Sequence, residues 1–126
     1  MLADTPVRQR IRLVPGDMFE SVPSGGDVYL LESVLHDWPD EDCESILRVC
    51  RAAMSPSSAL LIVERLLAGP NEGADTKFSD LNMLVMTGGR ERSEDQFVRL
   101  LERSGLQHRR TLDTDSPWSV VEAVVG

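Results

Sequence analysis

Two stretches of the chain are apolar at nearly every position, a pattern typical of strands that are buried on both faces of a parallel sheet. Residues 28–35 read VYLLESVL and residues 59–63 read ALLIV. Between them, residues 40–54 carry apolar side chains at intervals of three and four, which predicts an amphipathic helix. Its first turn is acidic and its second half contains arginines, as the helix dipole favours. The order strand, helix, strand predicts a right-handed crossover unit.

The rest of the chain predicts additional elements of both kinds. Ser93 and Gln96 form a capping-box pattern that opens a helix, and Gly105 is a suitable residue to end it. Five strands and three helices indicate a layered α/β domain. The predicted strands are residues 11–14, 28–35, 59–63, 106–112 and 119–125, and the predicted helices are residues 40–54, 77–86 and 93–104.

Composition narrows the classes of partner. The chain has 126 residues, which suits one domain, and its formal net charge is −8. This charge argues against binding to nucleic acid or to an anionic membrane surface. No apolar run approaches the roughly 20 residues of a membrane span, and no signal-peptide pattern opens the chain. We therefore expect a cytoplasmic protein.

The two cysteines are expected to stay reduced. Cys43 and Cys50 lie two turns apart in the predicted helix, about 10 Å, which is too far for an unstrained disulfide. The chain has two histidines and no close Cys/His cluster, so no metal site is predicted.

A histidine follows the first apolar strand. His36 begins the sequence His-Asp-Trp-Pro, and catalytic groups of parallel sheets lie outside the carboxyl ends of the strands. A histidine at that place can move a proton. The alternative interpretation is that His36 only satisfies a turn.

Four motifs occur in a defined order along the chain: GDMF at 16–19, HDWPDE at 36–41, VER at 63–65 and GGRERSEDQF at 88–97. Together they resemble the carboxyl-terminal half of the catalytic domain of the S-adenosylmethionine-dependent O-methyltransferases. The most similar group includes plant caffeate-type and bacterial polyketide-tailoring enzymes. The resemblance runs from about Leu2 to Val125, and the motifs are specific in combination.

The resemblance implies a fold and a set of catalytic residues. The fold is a partial Rossmann-like class I methyltransferase fold that lacks the first two strands and the glycine-rich loop, with residues 1–126 as one part of a catalytic domain. His36 is implied to be the general base that takes a hydroxyl proton. Glu64 and Glu91 are implied to flank it, orienting the imidazole and stabilising the imidazolium. The alternatives are a solvated strand end for Glu64 and a surface charge for Glu91.

The resemblance also implies binding residues for the cofactor, S-adenosylmethionine, and for an acceptor. Asp17 would accept a hydrogen bond from the adenine amino group, Met18 would pack on the adenine face with Phe19 nearby, and Glu32 would lie at the cofactor. A plain turn is the alternative for residues 15–17. The implied acceptor-binding residues are Asp37, Asn82, Met83, Met86 and Thr87, with turn shaping for Asp37 and core packing for the methionines as alternatives.

The chain departs from the family pattern in several places. The glycine-rich loop, the acidic residue that ends the family's second strand and the amino-terminal dimerisation domain are absent from this sequence. Plant enzymes have a lysine at the position of Glu32, and a glutamate there would repel the cofactor carboxylate unless only its backbone is used. Without the first strand, residues 28–35 become an apolar edge strand. We therefore expect a homo-oligomer, a complementing amino-terminal half, or a chain that is a piece of a longer protein.

Three functions remain open. The first is methylation of a hydroxyl on an aromatic or polyketide small molecule, and whether the chain acts alone is not decided. The second is a non-catalytic remnant that self-associates or binds a partner through its exposed sheet edge. The third keeps the pocket but performs different chemistry.

Overall fold

The computed structural model describes residues 9–67 and 91–126. Its elements are one mixed sheet, two α-helices and a short 3₁₀ turn. The strands are β1 (Val28–Glu32), β2 (Ala59–Glu64), β3 (Leu106–Asp113) and β4 (Ser119–Val125), the helices are α1 (Asp40–Ala53) and α2 (Glu94–Arg103), and the 3₁₀ turn is Leu35–Asp37.

The sheet has the strand order β1-β2-β4-β3. β1 and β2 are parallel, with a register that runs from Val28 opposite Ala59 to Glu32 opposite Val63. β4 is antiparallel to both of its neighbours. The parallel pair joined by α1 was predicted from the sequence, and its consequence is that the carboxyl ends of β1 and β2 meet at one edge of the sheet.

Both helices bury the faces that their periodicity predicted. α1 buries Cys43, Ile46, Leu47 and Cys50, and the core continues through Leu60 and Ile62 of β2. α2 begins with the predicted capping box: the Gln96 backbone N–H donates to the Ser93 hydroxyl, and the Ser93 backbone N–H donates to the Gln96 side chain. It ends before Gly105, whose φ of 81° lies in the left-handed region that glycine adopts without strain.

The prediction of a strand at residues 11–14 is wrong. These residues have no strand assignment, and Leu13 and Val14 are 74% and 47% exposed. A strand is stable only when a neighbour accepts its backbone hydrogen bonds. Among the described residues this segment has no such neighbour, so its alternating pattern does not produce a strand.

The prediction of a strand over residues 28–35 is correct in position but too long. β1 ends at Glu32, because Ser33 has a φ of 57° and turns the chain out of the extended conformation. The strand is also not covered on both faces, since Val28 and Leu30 are 57% and 60% exposed. Among the described residues β1 is an edge strand, as expected.

The remaining sequence predictions concern the two cysteines, membrane spans, metal ligands and the helix at 77–86. Cys43 and Cys50 are both buried and unpaired, as expected. Within residues 9–67 and 91–126, no helix is long and apolar enough to cross a membrane, and no group of three potential ligand side chains could hold a metal ion. The predicted helix at 77–86 lies outside the described residues.

Candidate active site

The 3₁₀ turn places His36 just beyond the end of β1. Leu35 is fully buried and anchors the turn in the core. The backbone N–H of Asp37 donates to the carbonyl of Val34 at 3.2 Å, and that of Trp38 donates to the carbonyl of Leu35 at 3.2 Å. The turn therefore has one side chain in the core and its own backbone hydrogen bonds.

Glu64, the last residue of β2, holds the imidazole of His36. Its Oε1 lies 2.8 Å from His36 Nδ1, and its Oε2 accepts from the His36 backbone N–H at 3.4 Å. The side chains are 1% exposed for Glu64 and 16% exposed for His36. Because an ionised carboxylate only accepts hydrogen bonds, Nδ1 carries the proton when Glu64 is charged. The structure thus brings together two of the three residues predicted to be catalytic.

The charge state of Glu64 reflects two opposing effects. Burial raises the pKa of Glu64 above its ordinary value, because a charged carboxylate loses its hydration there. The neighbouring His36 and its hydrogen bonds act in the opposite direction and lower the pKa of Glu64. A buried carboxylate at this position is therefore stabilised in its charged form mainly by the histidine that it orients.

The second ring nitrogen of His36 is the atom that can accept a proton. With Nδ1 held by Glu64, Nε2 has the available lone pair. Nε2 lies 3.3 Å from Oδ1 of Asp37, whose side chain is 44% exposed. The arrangement is a histidine with one nitrogen fixed by a buried carboxylate and the other near a partly exposed carboxylate. Such a histidine can take a proton from a hydroxyl, and the Glu64 carboxylate can stabilise the imidazolium that forms.

Arg92, which is distant in the sequence, also contacts the His36 turn. Its side chain is fully buried, and its guanidinium donates to the carbonyls of Leu35 at 3.0 Å and Trp38 at 2.8 Å. Its Nε donates to Oδ1 of Asp40 at 2.9 Å. Sequence reasoning missed this role. Arg92 stood in the GGRERSEDQF motif, but no local signal distinguishes an arginine that will be buried from one that will be solvated.

Glu91, the third predicted catalytic residue, is buried, with 4% of its surface exposed. The surface-charge alternative for Glu91 is therefore wrong. Its neighbour Arg92 forms a parallel bridge with Leu66, two residues beyond Glu64, and accepts from the backbone N–H of Leu67 at 2.9 Å. The segment that carries Glu91 consequently lies beside the continuation of β2, and its role toward His36 stays a prediction.

The predicted adenine-binding residues form a separate turn. Oδ1 of Asp17 accepts from the Phe19 backbone N–H at 2.9 Å, and the Asp17 carbonyl accepts from the N–H groups of Glu20 and Ser21. Asp17 is exposed, whereas Met18 and Phe19 are partly buried against the core. A cavity of about 380 Å³ lies beside this turn and includes Pro15, Gly16 and Met18 in its lining.

One ring contact joins the two turns. Phe19 and Trp38 meet edge to face, with ring centroids 5.0 Å apart and an interplanar angle of 80°. Glu32, at the end of β1, is exposed. The predicted acceptor-binding residues Asn82, Met83, Met86 and Thr87 lie outside the described residues, while Asp37 lies in the His36 turn.

Comparison with curated proteins finds close relatives of this chain. It is 45% identical to the mitomycin biosynthesis 6-O-methyltransferase of Streptomyces lavendulae over 123 residues, which are 97% of this chain and 35% of the relative. The chain therefore spans about a third of the length of this curated relative.

Solved structures show the same fold. The crystal structure of LaPhzM matches with a TM-score of 0.94 and 45% identity, over 99% of this chain and 38% of that one. An O-methyltransferase from neocarzinostatin biosynthesis, in complex with S-adenosylmethionine and 2-hydroxy-5-methyl naphthoic acid, matches with a TM-score of 0.87 and 33% identity, over 99% of this chain and 36% of that one. These matches confirm the predicted fold class and its partial extent.

The family model of the O-methyltransferase domain matches residues 2–107, which is most of the chain. The order of the four sequence motifs, the fold and the family match agree, and the chain belongs to the O-methyltransferase domain family.

Proposed function

We propose that this chain is part of an S-adenosylmethionine-dependent O-methyltransferase that methylates a hydroxyl of an aromatic or polyketide small molecule. His36 is the general base. The observation that carries the proposal is the 2.8 Å contact between His36 Nδ1 and the buried Oε1 of Glu64 at the carboxyl edge of the parallel strands. A structural turn needs no such carboxylate, whereas a base needs its tautomer fixed.

The comparisons support the cofactor and the acceptor class. The Streptomyces relative is named for 6-O-methylation in mitomycin biosynthesis, and the neocarzinostatin enzyme was crystallised with the cofactor and a hydroxynaphthoic acid. By extension, we assign this chain S-adenosylmethionine as cofactor and a small-molecule hydroxyl as acceptor.

The residues present fit part of the cofactor. Asp17 offers an exposed carboxylate and Met18 a partly buried apolar surface beside the 380 Å³ cavity, which suits the polar edge and the flat face of adenine. Glu32 does not suit the cofactor's carboxylate through its own side chain, because the two negative charges repel. Its contribution is therefore limited to the backbone.

The chemistry assigned to the chain is a proton transfer. When bound, S-adenosylmethionine supplies a methyl group on a positively charged sulfur. Nε2 of His36 takes the proton of the acceptor hydroxyl, while Glu64 keeps Nδ1–H oriented and stabilises the imidazolium. Transfer of the methyl group to the acceptor oxygen would break its bond to sulfur, and the cofactor would leave as the neutral thioether. Glu91 is assigned as a second carboxylate near the base. Holding oxygen and methyl carbon in line supplies much of the remaining rate.

The test compares the two histidines of the chain. His36→Ala is expected to lower methyl transfer by about 10²- to 10⁴-fold, whereas His108→Ala, in β3, is expected to leave it unchanged. Transfer is measured from labelled cofactor, with the chain alone and with an added amino-terminal half of a relative. Unchanged turnover in His36→Ala would overturn the role of the base and favour catalysis by proximity alone.

Cofactor binding is tested separately by calorimetric titration with S-adenosylmethionine. Heat of binding that is reduced by Asp17→Ala supports the adenine site. No detectable heat at millimolar cofactor excludes the enzyme assignment for the chain alone.

A second function is favoured by the edge strand. Val28 and Leu30 of β1 are more than half exposed, and an apolar edge strand pairs readily with another chain. A non-catalytic, self-associating protein would use this edge. Leu30→Lys is then expected to abolish association in sedimentation experiments, whereas Leu112→Lys, on the opposite edge strand β3, is not. A wild-type chain that stays monomeric at high concentration contradicts this candidate.

A further inference from the structure

We propose that Arg92 is a positioning residue for the proposed base: its buried guanidinium fixes the backbone of the His36 turn so that the imidazole meets Glu64. This inference rests on the proposed function for its catalytic meaning, but its geometric part can be tested without any activity. The observation is that Arg92 donates to the carbonyls of Leu35 and Trp38, the residues on either side of His36 and Asp37.

The shape of the side chain explains why an arginine is needed. Arg92 Nη1 lies 3.0 Å from the Leu35 carbonyl and Nη2 lies 2.8 Å from the Trp38 carbonyl, so one rigid planar group spans the whole turn. A lysine ammonium is a single point of charge on a flexible stem and cannot hold two separated carbonyls in a fixed relation. The guanidinium therefore sets the relative position of the two ends of the turn.

The backbone of Arg92 contacts the strand extension that follows Glu64, the carboxylate that binds His36. The Arg92 carbonyl accepts from Leu67 at 2.9 Å, and Arg92 bridges Leu66, which lies two residues after Glu64. The same residue thus contacts the turn that carries His36 through its side chain and the strand extension that carries Glu64 through its main chain. Loss of the guanidinium would free one partner of the His36–Glu64 contact relative to the other.

Asp40 pairs with the guanidinium of Arg92, and the Cys43 thiol donates to one of the carbonyls that Arg92 binds. Asp40, the first residue of α1, lies 2.9 Å from the guanidinium and balances its charge. The Cys43 thiol also donates to the Leu35 carbonyl at 3.2 Å. Burial raises the pKa of Cys43 to about 11, so the thiol stays protonated and remains a donor. The thiol is a weak donor, and the charged guanidinium is therefore the main support of the turn.

The experiment measures the ring of His36 directly. Because the chain has only two histidines, ring ¹⁵N NMR of the labelled protein resolves His36, with His108 in β3 as an internal reference. In the wild type we expect His36 to show the tautomer with the proton on Nδ1. In Arg92→Lys, which keeps the charge, this signature is expected to be lost or averaged while His108 is unchanged. Arg48→Lys is the matched control, since Arg48 also pairs with a carboxylate but is 59% exposed.

Turnover gives a second reading that a purely structural role would not move. With rates normalised to folded protein, Arg92→Lys is expected to lower kcat at least tenfold and to leave the KM for the cofactor unchanged. An unaltered Nδ1–H signature of His36 in Arg92→Lys overturns the proposal. Arg92→Gln, which is neutral and has one side-chain nitrogen in place of the two that reach the carbonyls, provides the same test should the lysine variant not fold. If Arg92→Lys alters the His36 signals but the wild-type chain transfers no methyl group, either alone or with the added amino-terminal half, the positioning role is supported and the proposed function is contradicted.

Discussion

Two turns carry the predicted chemistry, and they are held in different ways. The His36 turn is held by hydrogen bonds to residues distant in the sequence, namely Glu64 of β2, Arg92 and Cys43 of α1. The buried side chain of Leu35 also anchors the turn in the core. The Asp17 turn is held mainly from within, by hydrogen bonds between residues two to four apart.

This difference indicates which part of the site is preorganised in this chain. Groups held by distant parts of the sequence keep their geometry when no ligand is bound, which is what proton transfer requires. The edge-to-face contact of Phe19 with Trp38 joins the two turns. We therefore expect substitutions in the His36 turn to change the free energy of unfolding more than substitutions in or near the Asp17 turn.

The largest contrast is expected between two leucines. Leu35→Ala removes a fully buried side chain and should lower the free energy of unfolding by about 2–5 kcal/mol. Leu13→Ala, before the Asp17 turn, removes a side chain that is 74% exposed and should change it by less than about 0.5 kcal/mol. Urea denaturation of both variants measures the free energy of unfolding. Equal losses of that free energy in the two variants would contradict the inference that the two turns are held in different ways.

A smaller effect is expected from the charge of Glu64. Because burial raises its pKa, the folded protein binds more protons than the unfolded chain above about pH 4.5, and stability is lost as the pH rises through the raised pKa. Glu64→Gln cannot ionise, so its stability relative to the wild type should increase across that interval and then level off. The measurement is urea denaturation at several pH values, with the exposed Glu102→Gln as control. A relative stability that falls with rising pH would contradict the sign of the effect.

The link between the turns is expected to be weaker still. A double-mutant cycle of Phe19→Leu and Trp38→Leu should give a coupling of about 0.5–1.5 kcal/mol, the usual range for an edge-to-face pair. Strict additivity of the two single substitutions would show that the turns are independent.

The smallest effect is expected at Asp17 itself. Asp17→Ala loses one exposed hydrogen bond to the Phe19 N–H, so the free energy of unfolding should fall by at most about 1 kcal/mol. Asp17→Asn keeps an acceptor oxygen and should lose less. A loss as large as that of Leu35→Ala would mean that this turn, too, is held by the core.

Much of the fold could be predicted because its signals are local. The intervals of Cys43, Ile46, Leu47 and Cys50 place one face of α1 in the core, and Ser93 with Gln96 marks the start of α2. The position of His36 just after an apolar strand also follows from sequence order. The four motifs pointed to the correct family, although each is weak alone.

Other features depend on contacts that no local pattern contains. The alternation at residues 11–14 resembles a strand, but among the described residues it meets no neighbour that would pair with it. β1 ends at Glu32 because Ser33 adopts a left-handed conformation, which cannot be predicted from a serine in the sequence. The conformation of a β-strand is decided by its partners more than by its own side chains.

The site shows the same division. By itself, the sequence determined that His36 follows an apolar strand and that Glu64 lies at the carboxyl end of another, because residue order and periodicity are properties of the chain alone. Only the tertiary structure decided that Glu64 meets Nδ1 of His36 and that Arg92 is fully buried while Arg48 is exposed. Burying a charged guanidinium is costly unless other groups accept its hydrogen bonds. Arg92 can therefore be buried only because the folded chain brings Asp40 and the carbonyls of the His36 turn around it.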